Sequence, residues 1–309
     1  MLLVGALVTV QSRINGSLAE GLGEGLRAGI LAAVISFGSG LVLLTAVVAS
    51  SLRRRAGLHR LRDALRTRRL RPVELVGGLA GAFFVASQGI AVGVIGVALY
   101  IVSFVAGQSV ASLVVDHVGL GPRGHQAVSV PRAIAATFAV AGVLVKVVDD
   151  LDGAAQGAAL LLALLALVAG VLQAVQQALN GRVSAIGGPL ATTWNNFAIG
   201  TAGLLVVLAV SFLVPGKVTG APATWWAYLG GVLGVTFIAI SAVMVQVHGV
   251  LVLGLCTIAG QVVAAEVLEI LDPDVAVSPA GLAGGVLALV GVAVALWWRS
   301  GPAPAPAPR

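Results

Sequence analysis

The chain has 309 residues, 59% of them hydrophobic and only 10% charged, with a mean hydropathy of +1.05. A water-soluble domain wets its surface with about 25% charged residues, so this composition excludes one and points to a chain whose solvent is lipid. The net charge of +6 does not indicate nucleic acid, because nine of the eighteen basic residues crowd between Arg53 and Arg71 with no aromatic residue among them.

A membrane-spanning helix needs roughly 20 apolar residues. Ten stretches of that kind follow one another at about 1–20, 27–50, 73–95, 98–118, 128–148, 157–182, 190–214, 225–247, 249–270 and 279–298. Polar and turn-forming residues separate most of them, among them the arginine run, Gly121-Pro122-Arg123-Gly124 and Asp272-Pro273-Asp274. Two junctions are tight, near Gly96 and near Gly249. The first stretch continues into Gln11, Arg13 and Asn15 without a small-residue cleavage site, so it reads as a span and not as a cleaved signal. The end, 301–309, alternates Pro and Ala and is expected to be extended and disordered.

Basic residues favour the cytoplasmic side of short loops. Placing Arg53–Arg71 inside, as a cytoplasmic loop, also places Arg123, Arg132, Arg182, Arg299 and Arg309 inside. Only Arg13, Arg27, Lys146 and Lys217 then fall outside, together with the acids of 149–152 and 272–274. Inner-membrane location with both termini cytoplasmic is the expected arrangement. The arginine run is expected to meet anionic lipid of the inner leaflet.

The chain repeats itself. Val10-Gln11-Ser12-Arg13-Ile14-Asn15-Gly16 returns as Val175-Gln176-Gln177-Ala178-Leu179-Asn180-Gly181. Phe37 to Gly40 answers Phe197 to Gly200, and Gly77-Gly78, Gly81 and Phe84 recur as Gly230-Gly231, Gly234 and Phe237. Gly107-Gln108 recurs as Gly260-Gln261 at the same spacing. The fold expected is all-α and integral to the membrane, with two five-helix repeats over 1–150 and 151–300. An odd number of spans per repeat turns the second copy upside down, the plan of many secondary transporters, whose cargo sits at mid-depth between the copies.

These motifs resemble the YdcZ-like branch of the drug/metabolite transporter superfamily, related to EamA-like transporters. The features that carry the resemblance are the Gln-x-x-x-Asn-Gly opening of each half and the Ser-Phe-x-x-Gly or Asn-Phe-x-x-Gly helix that follows. Some members of that branch are single five-helix chains thought to pair, so this chain resembles a fused pair. The resemblance implies a helical transporter fold without naming a cargo.

Gln11 and Asn15 lie four residues apart on one helical face, as do Gln176 and Asn180. Such amides either hold helices together or line a polar cavity, and both readings stand for these four. The same choice applies to Gln108 and Gln261. Asn195 offers another amide on the second helix of its half, and Trp194 a stacking surface or a packing aromatic. All eight form the expected cargo site. Arg13 reads as paired with a nearby acid, Glu266 and Glu269 as solvated at a helix end, and His248 as interfacial.

No nucleotide-binding loop, hydrolytic set or metal-ligand spacing occurs, so neither a cofactor nor an enzymatic role is expected. The function read from the sequence is secondary transport or export of small organic solutes by alternating access. A lipid-modifying enzyme or flippase, and a non-transporting accessory protein, are the alternatives. Whether the chain acts alone or as a homodimer stays open.

Overall fold

The computed structural model describes residues 1–121, 124–125, 156–213 and 217–272, with scattered positions between 130 and 141 and between 279 and 293. Among the described residues seven helices carry the fold: α1 (Leu2–Leu22), α2 (Gly25–Ala49), α3 (Leu52–Arg66), α4 (Gly77–His117), α5 (Gln156–Gly187), α6 (Pro189–Ser211) and α7 (Gly230–Leu271). Short 3₁₀ turns at Pro72–Val76 and Trp225–Tyr228 lead into α4 and α7. The two-residue strands β1 (Gly23–Glu24) and β2 (Lys217–Val218) pair antiparallel.

Four described helices are long and apolar enough to cross a membrane: Gly25–Ala49, Pro72–His117, Gly157–Gly187 and Pro189–Ser211. The class is therefore all-α and membrane-integral. The fifth and tenth expected spans, 128–148 and 279–298, lie largely outside the described residues, as does the boundary between the two halves.

Helix α4 is two spans, not one. Straight, its 41 residues would extend about 60 Å at 1.5 Å per residue, twice the hydrocarbon thickness. At Gly96 the backbone takes φ 74° and ψ 165°, a region essentially confined to glycine, and the chain reverses. Ser87 Oγ then lies 2.7 Å from the Tyr100 hydroxyl. The Phe84 and Phe104 rings approach to 4.7 Å between centroids. In a straight helix their twenty-residue separation would hold them about 30 Å apart. Helix α7 doubles back by the same reasoning. Gln11 Nε2 donates to Gly230 O at 3.0 Å while Thr9 Oγ1 donates to Gln261 O, also at 3.0 Å. Two residues of α1 that lie two positions apart thus touch places 31 positions apart on α7.

The first helix of each half packs on the other half's hairpin. Gly5 of α1 lies so close to α7 that a methyl there would overlap the Thr257 carbonyl oxygen. Gly170 of α5 stands in the same relation to the Phe104 carbonyl oxygen of α4. Helices α2 and α6 cross where the Phe37 and Phe197 rings stack 4.8 Å apart. They run antiparallel: Arg27 Nη2 donates to Ser211 O at one end, and Trp194 Nε1 donates to Thr45 Oγ1 towards the other. The aromatic core of Phe37, Phe84, Tyr100, Phe104 and Phe197 is the dry centre around which the halves join.

The arginine run, expected as a loop, is instead largely the helix α3. Gly57, Leu61 and Ala64 form its buried side, against Val183 and Ala191 at the α5–α6 corner. Arg60 donates to two carbonyls there, Ile186 O at 3.0 Å and Gly187 O at 3.1 Å, covering orphan acceptors at the end of α5. At the opposite end of the molecule lie the β1–β2 pair, the Arg13–Asp272 ion pair and Arg27 over the Phe212 ring.

Candidate functional site

Amides are placed at matching points of the two halves by the helical spacing of four. Asn15, on α1, sits beside Gly230 of the α7 hairpin, and Asn180, on α5, beside Gly77 of the α4 hairpin. Gln11 approaches Gly234 as Gln176 approaches Gly81. A side chain at any of these glycines would fill the space that the amides occupy.

The two clusters differ in how their bonds are closed. In the first, Asn15 Nδ2 donates to Gln88 Oε1 at 2.6 Å and Gln88 Nε2 donates to Ser12 Oγ at 2.9 Å. Gly16 packs against the Val92 side chain just beyond. Helix α1 and the first arm of α4 are therefore zipped together. In the second, Asn196 Nδ2 donates to Asn180 Oδ1 at 2.8 Å, and Gln176 Nε2 donates to Asn196 Oδ1 at 3.3 Å. Those bonds join α5 to α6 and leave its other flank open.

That flank is a cleft of about 580 Å³, including the part open to solvent. One wall is polar, from Gln173, Gln176, Gln177, Asn180 and Ser184 of α5 with Thr192 of α6. The other is mainly apolar, from Phe237, Ile238 and Leu253 of α7, with Ser241 among them. The cleft runs from mid-depth at Gln173 towards the end of α5 that α3 covers. Gln173 Oε1 is buried and has no hydrogen-bond partner among the described residues.

Of the eight residues expected at the site, Gln176 and Asn180 line this cleft. Gln11 and Asn15 occupy the matching place in the first half, where the Ser12–Gln88–Asn15 bonds join α1 to α4. Gln108 and Gln261 are buried deeper, beside the close crossings at Gly170 and Gly5. Neither amide oxygen has a partner among the described residues, and the Gln261 nitrogen has none either. Asn195 and Trp194 point elsewhere: Asn195 Nδ2 donates to Leu75 O at 2.9 Å, and the Trp194 indole joins α6 to α2. Sequence reasoning missed Gln88, Ser241 and Thr192. Gln88 and Ser241 are repeat mates at the glycine spacing but differ in residue type, so comparing the halves by identity passes over both.

Arg182 pairs with Glu74 at 3.1 Å and donates to Gly119 O, tying α5 to both ends of the α4 hairpin. Among the described residues no three His, Cys, Asp or Glu side chains come together as a metal site.

A helical bundle of two exchanged halves with matched amides, and with helices long and apolar enough to cross a membrane, defines a polytopic membrane protein. The chain matches the family described as "Putative inner membrane exporter, YdcZ" in two segments, residues 1–145 and 161–294, and it belongs to that family. It is the two-repeat form within the drug/metabolite transporter superfamily. No curated protein matches the chain.

Proposed function

We propose that the protein exports small organic solutes by alternating access, with the cleft between α5 and α7 as the cargo site of one state. The observation that carries this reading is the asymmetry between equivalent places. The groove between α1 and the first arm of α4 is shut by the Ser12–Gln88–Asn15 bonds. Its counterpart between α5 and the first arm of α7 stands open. Inverted repeats interconvert two such states by exchanging conformations. Closure of the open side would bring Gln177 and Asn180 towards Ser241, while separation of Gln88 from Asn15 would open the other side. Gln11 and Asn15 then offer the cargo what Gln176 and Asn180 offer it now.

The positive-inside rule puts α3 and the open end of the cleft in the cytoplasm, the loading side of an exporter, with both termini on that side. The stripe Arg55, His59, Arg62 and Arg66 on the exposed side of α3 suits the anionic headgroups of that leaflet. The cleft carries no carboxylate among the described residues, which favours facilitated export or exchange over tight proton coupling.

Single cysteines test the reading in a Cys256→Ser background. Ser184→Cys is expected to react with a membrane-impermeant maleimide from the cytoplasmic side alone, and Ser12→Cys from neither side. Adding Gln88→Leu to the second variant should expose it from the outside. Equal labelling of both positions from both sides would describe a channel and would sink alternating access.

A further inference from the structure

We infer that the cargo carries no net charge and is amphipathic, with one hydrogen-bonding edge and one apolar face. This rests on the cleft being the cargo site, and it deepens that reading to a chemical class. Every side chain on the polar wall is an amide or a hydroxyl, and the facing wall presents Phe237, Ile238 and Leu253. The cleft thus has two unlike faces on opposite sides, which an evenly polar solute would not match. Gln173 Oε1, buried without a partner among the described residues, supplies an acceptor for a donor on the cargo.

Charge is missing well beyond the lining. The stretch 231–265 of α7, which carries the apolar wall, contains no acidic or basic residue except His248. The nearest guanidinium in chain, Arg182, is already bound to Glu74 and Gly119 O. An ion entering this cleft would shed its hydration and meet no counter-charge among the lining residues. Burying an uncompensated ion is far more costly than burying a neutral polar group that finds its hydrogen bonds. The amides discriminate by that difference, and they can do so without contacting the whole of the cargo.

The experiment is a thermal-stability screen of the purified full-length protein against a metabolite library sorted by net charge. A ligand that binds only the folded state raises the melting temperature with its occupancy. Neutral amphipathic compounds should supply the stabilising ligands, with carboxylate and ammonium analogues of the same skeleton binding at least ten-fold more weakly. Ser241→Phe, which fills the cleft, should abolish the shifts, and Gln177→Glu should admit ammonium analogues that the parent rejects. Ions that bind as tightly as their neutral analogues would overturn the inference while leaving the cleft as cargo site. Ligands of any charge whose shifts survive Ser241→Phe would overturn the cleft itself, and a library without a single ligand would overturn both.

Discussion

Asn196 joins two amides that would otherwise face each other without a bond. Its Nδ2 serves Asn180 and its Oδ1 accepts from Gln176. Asn196→Leu should therefore leave the buried Gln176 and the half-buried Asn180 short of a partner and cost about 1–3 kcal/mol, read as a lowered melting temperature. Ser36 holds the matching place in the first half, yet its hydroxyl is buried without a partner among the described residues. Ser36→Ala should be close to neutral by the same measurement. Glycines at the crossings divide in a similar way. Gly170→Ala pushes a methyl into the Phe104 carbonyl and should lower expression and stability, an overpacking loss of about 1–3 kcal/mol. Gly38→Ala meets open space and should be tolerated. The repeated Gln-x-x-x-Asn pair was legible in the sequence because four-residue spacing survives in both halves. What those amides bind was not, since the partners Gln88 and Asn196 come from other helices.

Two elements show what the sequence conveys about helices and what it withholds. The hairpin of α4 was visible as two apolar runs meeting at Gly96, because a break that tight calls for a residue without a Cβ. Gly96→Ala should cost about 1–3 kcal/mol, the usual range for a side chain forced into that backbone region. Helix α3 was hidden under its arginines. Its buried positions, Gly57, Leu61 and Ala64, recur at helical spacing, but the basic residues between them dominate any hydropathy reading. Arg60→Gln removes guanidinium bonds from the α5–α6 corner. Trypsin should then cut the Arg53–Arg71 segment several-fold faster in native membranes, while overall unfolding shifts little. An unchanged rate would mean that apolar packing against Val183 and Ala191 alone holds α3 in place.

At the scale of the molecule, the exchange of α1 and α5 between hairpins decides how the halves depend on each other. Helix α1 contacts α7 more intimately than its own neighbour α2, and α5 does the same with α4. Cutting the chain between 150 and 156 and expressing both pieces together should restore a complex that co-purifies. Either piece expressed alone should be degraded, having no partner for its first helix. The repetition was plain in the sequence, but the exchange was not, because recurrence of a motif says which places correspond and nothing about which places touch. The sidedness of the cleft was equally out of reach: the two copies share the Gln-x-x-x-Asn pair, and the shut groove differs from the open one at positions that are not repeated, Ser12 against Gln177 and Gln88 against Ser241.

The crossing at Gly5 also sets a timetable. Helix α1 leaves the ribosome well before the surface that covers it, around Thr257 and Gln261, which is made some 250 residues later. At about 5–20 residues per second, that is a wait of roughly 10–50 s in the bilayer. For most of it, Thr9 and Gln11 lack their partners on α7, and a helix so placed is prone to capture by quality control. The amides at the heart of the finished protein are thus its point of greatest exposure during birth, and slow translation of the second half would be felt first as loss of the amino-terminal helix.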